Sequence, residues 1–496
     1  PENPNFQGGY INAGSGASLD IRSSTFRDGY ALRGGAIYAI SGKSLHIENS
    51  RFEHNRSLLE GGVIELQSLN RFDMRGMNYF INNESPKGSS ILLYSLQHFT
   101  VLGTSYFSSS LQASMLECNE VETIEATGLV FSRPSGSIET ENSVPLSLPP
   151  TIPNNFESRQ YAESLVRDEY LREKSLDLWN KYRRQFSVVE QSEGGLPSSE
   201  RANSYLTSAW TIHNSQSITI THSRFSGLSA HDGAGLYIDS LTAKNRDLSK
   251  HQVTIRSSIF EYCKAKSRGA GLFSQNNPSL ALSNNVFVMN EVTGGSGAGV
   301  AISCPNPPCT SVIENSIFLG NVASHSGAAI KWDDITPQID HATVSFRNNL
   351  AFYGSNVSGV PHTILHLPSS IRYSNSVDPC IISDDDHWNN STQWSFGCHA
   401  ERTDDDNDTI SPVLLDEFRS GAEVDHDLNF GVIDRYGQVI RTNEGQEMQL
   451  VADSRFPKVV MQNNRRVTHY GVCNFKGVRI TAPPNQSFVA DVATSI

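Results

Sequence analysis

The chemistry-bearing residues of this chain are few and gather in loops. Two acidic runs, Asp384-Asp385-Asp386-His387 and Asp404-Asp405-Asp406-Asn407-Asp408, supply clustered oxygens. Neighbouring residues of a strand point to opposite faces, so a bare Asp triplet makes a poor catalytic pair. The alternation of Asp404, Asp406 and Asp408 is the spacing that a loop Ca²⁺ site favours, and these three are the candidate metal ligands, with a solvated acidic loop as the default. Seven N-x-S/T triplets, at Asn55, Asn83, Asn356, Asn389, Asn390, Asn407 and Asn485, are candidate acceptors of N-linked glycan. Cys304 and Cys309 bracket Pro-Asn-Pro-Pro, and Cys380 and Cys398 bracket a Trp- and Asp-bearing loop. Neither spacing fits a zinc knuckle, and close pairs in irregular loops suit disulfides in an oxidising compartment. Cys118, Cys263 and Cys473 are left over, with Cys263 expected as a buried thiol. The histidines form no ligand spacing, and Gly294-Gly295-Ser296-Gly297-Ala298-Gly299 lacks the Lys-Ser/Thr of a phosphate loop.

The elements that carry these loops are set by a repeat. A Gly, two small residues and an aliphatic recur at Gly34-Gly35-Ala36-Ile37, Gly61-Gly62-Val63-Ile64, Gly233-Ala234-Gly235-Leu236, Gly269-Ala270-Gly271-Leu272, Gly297-Ala298-Gly299-Val300 and Gly327-Ala328-Ala329-Ile330. Ahead of each sits a Ser or Asn, one variable residue and a Phe, the Phe falling at 26, 52, 80, 107, 225, 260, 287 and 318. The Phe spacings are 26, 28 and 27 in a first block and 35, 27 and 31 in a second. Short alternating tracts such as Ser44-Leu45-His46-Ile47 and Val253-Thr254-Ile255 read as strands. Periods of this length with strand patterning predict coils of a parallel β-solenoid, roughly ten of them, stacked at about 4.8 Å into a rod about 50 Å long. The phenylalanines are expected to form an interior ladder, and the Gly-small-small positions to lie where the coil bends and backbones crowd. Asn55, Asn83, Asn290 and Asn321 each follow a Phe by three. Asn suits a left-handed corner or a side-chain ladder, and its enrichment in turns makes surface turn residues the default expectation here.

The strings Gly34-Gly35-Ala36-Ile37, Phe52-Glu53-His54-Asn55, Phe80-Ile81-Asn82-Asn83, Phe287-Val288-Met289-Asn290 and Phe318-Leu319-Gly320-Asn321 resemble the repeats of the chlamydial polymorphic membrane proteins. Those are surface adhesins, and the resemblance implies a right-handed parallel β-helix. Similar repeats run through very large surface and extracellular proteins of ciliates, oomycetes and heterokont algae, where a segment like Phe352-Tyr353-Gly354-Ser355-Asn356 closes the array. The chlamydial proteins end in an outer-membrane barrel, which nothing in this chain resembles, so the eukaryotic relatives look closer.

The rhythm stops over 133–213. Val144-Pro145-Leu146-Ser147-Leu148-Pro149-Pro150 reads as an extended linker. Residues 156–190 then read as a helix, with Glu163–Arg167, Asp168–Arg172 and Asp177–Lys181 pairs at i,i+4 and a sparse apolar stripe of Tyr161, Leu165, Leu171, Leu178, Tyr182 and Phe186. Such a helix needs a partner surface, on its own solenoid or on a neighbour. From about 412 short alternating stretches and turns predict an antiparallel sandwich. There Val432-Ile433-Asp434-Arg435-Tyr436-Gly437-Gln438-Val439 and Val472-Cys473-Asn474-Phe475-Lys476-Gly477-Val478-Arg479-Ile480 resemble invasin- and filamin-type Ig-like repeats.

The expected organisation is therefore all-β: a right-handed parallel β-helix (1–132 and 214–360) with a Pro-rich and helical insertion (133–213), a disulfide-bearing acidic loop region (361–411) and an Ig-like β-sandwich (412–496). A net charge of −13 excludes the basic footprint of a nucleic-acid binder. There is no secretory leader, 20-residue apolar run or lipidation motif, so no membrane span is expected, and the start at Pro1 is that expected of a mature piece or a segment of something longer. Polysaccharide-active enzymes also use parallel β-helices, but they need paired carboxylates in a wall groove, and the acidic pairs of this chain do not fall on the repeated strands in that way. The reading that results is a non-enzymatic, glycosylated extracellular protein. It would assemble with copies of itself or related chains into a surface filament, a mastigoneme-like appendage or a cell coat. An adhesin binding another cell or a glycan, and a sugar-active enzyme, are the alternatives. N-linked glycans are expected and Ca²⁺ is allowed for; no other cofactor is called.

Overall fold

A computed structural model describes residues 6–109, 114–133, 173, 176–177, 207–240, 251–367 and most of 420–494. The chain divides into two compact units, residues 1–324 with 328–350, and residues 325–327 with 351–496.

The first unit is a parallel β-solenoid of about ten turns. One coil runs from Ile37–Ile40 in a first wall, through Ser44–Glu48 and Arg51–Glu53 in the two legs of a second wall, to Arg56–Glu60 in a third, before returning to Ile64–Gln67. The next coil lies on it in register: Ile37, Ile64, Ile91, Leu116, Trp210 and Leu236 follow one another up the first wall. Each coil changes direction at residues of positive φ, for example Ser41, Asn49, His54 and Gly61. Four left-handed corners fold an extended chain into a closed loop, and that geometry selects Gly, Asn, Ser and Asp at these places. The repeated glycines divide two tasks. Gly34 holds φ at +57°, whereas a Cβ on Gly62 would stand 1.9 Å from the backbone oxygen of Ser89 in the coil above. The crowding expected at Gly-small-small is thus contact between successive coils.

The aromatic ladder is continuous. Phe26, Phe52, Phe80, Phe107, Phe131, Phe225, Phe260, Phe287, Phe318 and Phe346 stack ring on ring at centroid separations from 4.6 to 5.4 Å. That is the strand spacing of a sheet, so backbone pairing and offset ring stacking reinforce each other at every step. Phe131 and Phe225 are adjacent rungs at 5.1 Å. Thr123–Ser132 pairs directly with Ser217–Thr221 and Arg224–Ser226. The insertion therefore leaves and re-enters within one coil, and the two sequence blocks are one uninterrupted stack. The helix expected over 156–190 lies outside the described residues apart from Glu173, Leu176 and Asp177.

The asparagines that follow Phe by three correct the turn-residue reading. Asn55, Asn83, Asn290 and Asn321 are fully buried, and none of them is the left-handed residue, which is the one before: His54, Asn82, Met289 and Gly320. At this corner the backbone leaves the sheet, so an amide N–H and the Phe carbonyl lose their strand partners. The Asn of the next coil replaces both. Asn321 Oδ1 accepts from Asn290 N (3.1 Å) and Asn290 Nδ2 (2.9 Å). Its Nδ2 donates to Phe287 O (2.9 Å) and Asn349 Oδ1 (2.9 Å). All four hydrogen-bonding positions of the amide are filled, the condition for burying it. Asn349, which follows Phe346 by three, closes the series, and Cys263 takes an Asn place one rung below Asn290. A second interior ladder runs through the Ser or Asn two places before each Phe: Ser223 N donates to Ser258 Oγ (3.2 Å), Ser258 N to Asn285 Oδ1 (3.0 Å) and Asn285 N to Ser316 Oγ (3.2 Å).

The second unit is antiparallel. Pro361–Leu367 pairs with Asn429–Asp434, which pairs with Val472–Asn474; Glu447–Ala452 lies between Arg465–Val467 and Ala490–Thr494; Val460–Gln462 pairs with Arg479–Thr481. Val432, Met448, Cys473, Phe475 and Val478 form its core with Tyr353. The strands fall where the alternation after 412 places them, but the first begins ahead of that boundary, inside the span read as loop. Asp434 organises the turn that follows it, accepting from Tyr436 N (2.9 Å) and Gln438 N (3.0 Å) through Oδ1 and from the Tyr353 hydroxyl through Oδ2. Burial, and then the adjacent Asp434 charge, push the Tyr353 hydroxyl well above its ordinary pKa.

Replacing Asn321 by Ala removes four hydrogen bonds and leaves the Asn290 N–H and Phe287 carbonyl buried and unpaired. The expected loss is about 3 kcal/mol in urea unfolding. Asp20→Ala on the exposed outer face is expected to stay within about 0.5 kcal/mol of the parent.

Candidate functional site

The sequence-predicted site residues divide by location. Cys304 and Cys309 are joined as a disulfide, with Cα atoms 6.3 Å apart. Cys380, Cys398, Asp404, Asp406, Asp408, Asn389, Asn390, Asn407 and Asn485 lie outside the described residues. Asn356 is half-buried in the turn before Val357–Ser358. Asn55 and Asn83 are both fully buried, and each Nδ2, the atom a glycan would occupy, donates within the corner ladder, to Phe26 O (3.1 Å) and Phe52 O (3.0 Å). Their side chains serve the interior of the solenoid. Cys118 and Cys263 are buried thiols, each pushed up to about 12 by desolvation, which keeps them inert. Among the described residues no group of three or more His, Cys, Asp or Glu side chains is placed to hold a metal. No helix among them is long and apolar enough to cross a membrane.

What the structure does assemble is a polar strip on the outer face of the first wall. Strand alternation turns Ile64, Leu66, Leu116 and Cys118 inward, so Glu65, Gln67, Glu117 and Asn119 point outward. Parallel register then lines up two columns. Tyr38, Glu65, Leu92, Glu117, Thr211 and Tyr237 form one; Gln67, Tyr94, Asn119, His213 and Asp239 form the other. Register thus places Glu65 and Glu117 two coils apart in one column, with Leu92 between them, and Asp239 in the other. Residues from the neighbouring corner fold over them. Arg33 Nη1 lies 2.7 Å from Glu65 Oε1 and 3.1 Å from Glu60 Oε2. Lys87 Nζ lies 3.5 Å from Glu117 Oε1 and 4.9 Å from the centre of the Tyr94 ring, whose hydroxyl it also meets.

Burial shapes the strip's charges. Glu65 is fully buried, and desolvation raises its pKa in spite of Arg33 and the Gln67 amide (2.6 Å), which hold the charged form. Tyr237 meets the edge of His213 at 5.7 Å, and its hydroxyl faces Asp239 Oδ2 (3.4 Å) and Gln275 Oε1 (3.3 Å). Desolvation, with Asp239 next, raises the Tyr237 hydroxyl far beyond the physiological range. His213 is lowered by desolvation, against the pull of Glu117 and Asp239. A neutral imidazole among carboxylates, amides and aromatic edges offers acceptors, donors and a flat apolar surface, the mixture that a polyhydroxylated ligand requires. A signal for the strip exists in the sequence: it is the residue directly after each Gly-small-small-aliphatic unit and the one two further on, read as columns across repeats.

The His213 shift gives a sign for acid behaviour. With its folded pKa below the ordinary value of 6.5, the unfolded chain binds the proton first, so this contribution is intact above about pH 6.5 and is lost as pH falls toward the lower folded value. The thermal midpoint of the parent is expected to fall more than that of His213→Gln between about pH 7.5 and about pH 5.5; equal slopes would remove His213 as the cause. Compared with family models, with curated proteins and with solved structures, the chain shows no significant match.

Proposed function

We propose that this chain is an extracellular structural protein that assembles, with copies of itself or related chains, into a surface filament, a mastigoneme-like appendage or a cell coat. The observation that carries this reading is the unbroken stack of the solenoid: ten rings from Phe26 to Phe346 follow one another at 4.6 to 5.4 Å, and the repeated strands pair in register from coil to coil. A stack of repeating coils presents long, repetitive walls, the kind of surface along which copies of one chain pack into an array.

The reading includes a right-handed winding, in line with the strong preference of parallel crossovers for that hand, a helical insertion over 156–190, and an Ig-like arrangement of the antiparallel second unit acting as a spacer. N-linked glycans belong at exposed sequons, which leaves out Asn55 and Asn83. Ca²⁺ at Asp404, Asp406 and Asp408 is compatible with the reading and not required by it. No reaction is assigned.

The strip around His213 favours a second reading, a surface adhesin whose first wall binds a glycan; a sugar-active enzyme would use the same surface. Electron microscopy of the purified chain separates them. Assembly predicts rods joined into ordered arrays at a regular spacing. Single rods, with glycan-array binding abolished by Glu117→Gln/Asp239→Asn, would favour the adhesin. Glycopeptide mass spectrometry of chain secreted from eukaryotic cells is expected to find Asn55 and Asn83 unmodified; glycan on either would contradict the interior ladder.

A further inference from the structure

Four consecutive rungs of the first wall carry a row of polar side chains whose hydrogen-bonding capacity is only partly used. Cys118, Ile212, Ile238 and Ser274 are buried on the inward side of Leu116–Asn119, Trp210–His213, Leu236–Asp239 and Leu272–Gln275, so the residues that follow them, Asn119, His213, Asp239 and Gln275, face outward. Parallel register sets these one above another at about 4.8 Å per step. Asn119 donates through Nδ2 to Glu117 Oε1 (3.1 Å), and Gln275 accepts at Oε1 from the Tyr237 hydroxyl (3.3 Å). Asp239 is held by the same hydroxyl on Oδ2 (3.4 Å) and by Asn276 Nδ2 on Oδ1 (3.4 Å). Among the described residues, Asn119 Oδ1, both ring nitrogens of His213 and Gln275 Nε2 have no hydrogen-bond partner, and all three side chains are half-buried. The Tyr237 ring, edge to His213 (5.7 Å) and tilted against Phe273 (5.4 Å), lays an aromatic surface beside the row.

We propose that the row Asn119–His213–Asp239–Gln275 binds an uncharged polysaccharide chain laid along the solenoid axis. The site rests on the reading of the first wall as a glycan-binding surface, and it fixes where on that wall the ligand lies, with what charge and in which direction. Hydrogen bonding selects a polyol. An acceptor on Asn119, a donor and an acceptor on the neutral imidazole of His213 and two donors on Gln275 complement hydroxyl groups, each of which both donates and accepts. Tyr237 supplies the apolar surface that the C–H face of a sugar ring needs. Charge selects a neutral chain. The cations that border this wall are engaged by carboxylates: Arg33 by Glu65 (2.7 Å), Lys87 by Glu117 (3.5 Å), Arg268 by Asp232 (3.2 Å) and Lys331 by Asp333 (3.0 Å). A uronic or sialic acid laid on the row would therefore meet the like charges of Glu117 and Asp239. Direction follows from register. The step of about 4.8 Å between rungs is close to the length that one pyranose adds to an extended chain, so a ligand running up the wall meets a side chain at each sugar, whereas one running across it meets a single strand.

The test is affinity electrophoresis of the full chain in native gels that hold a neutral polymer (hydroxyethyl cellulose, galactomannan or laminarin) or a charged one (carboxymethyl cellulose or polygalacturonate). Retardation is expected in at least one neutral gel and in neither charged gel. His213→Ala and, separately, Asn119→Ala/Gln275→Ala are expected to weaken it roughly tenfold while keeping the circular dichroism spectrum of the parent. Should either variant lose that spectrum, the parent decides: its His213 ring resonances, followed by NMR, are expected to shift when the retarding polymer is added, and unmoved resonances would overturn the site. Retardation left unchanged by both variants, or strongest in a charged gel, would overturn the site alone and leave glycan bound elsewhere on the chain. Free migration in every gel would overturn the site and the glycan-binding reading together.

Discussion

The constraint on which this structure depends is the supply of hydrogen bonds at a corner that a sheet cannot serve. A parallel solenoid must bend several times per coil, and each bend takes backbone groups out of register while keeping them buried. Asn83 on Phe52 and Asn55, and Asn321 on Phe287 and Asn290, show the solution: the amide of one coil completes the corner of the coil before it. Because each Asn serves its neighbour, the ladder makes successive coils interdependent, and the ring stack beside it fixes the same spacing. Cys263 shows the tolerance of the device. Its thiol stands 3.6 Å from Phe225 O, where an Asn amide would donate, and its N–H still reaches Asn290 Oδ1 at 3.1 Å.

Much of this was legible in the sequence because the solenoid repeats its demands. Phe and Gly-small-small recur since every coil needs an inward ring and a left-handed, closely approached corner. The asparagines were harder to place: composition alone cannot distinguish an Asn that tolerates a turn from one that satisfies a neighbour's backbone, and the difference appears only when coils are stacked. Asn55 and Asn83 carry that ambiguity furthest, since a following Ser two places on makes each a sequon while the fold uses its amide internally. Phe131 escapes the repeat pattern because Leu129 stands where other units have Ser or Asn, and so the continuity across the insertion was hidden. The first-wall strip was missed for a related reason: Glu117, His213 and Asp239 are far apart in sequence and are brought together through register.

Rigidity along the rod and variety on its walls follow from the same division. Inward positions are held to a narrow set of residues, so the chain can vary what it shows outside: charged at Thr25–Arg27, polar and aromatic on the first wall near His213, apolar beside Phe287. A scaffold of this kind separates the residues that hold the fold together from those it presents outside.

Hydrogen exchange followed by mass spectrometry tests the central claim most directly, at the seam between the two sequence blocks. If the solenoid is one stack, peptides covering 123–132 and 217–226 will be protected as strongly as those covering 279–288 in the interior. Rapid exchange at the seam, with 18–132 and 215–350 opening as two independent units, would contradict it.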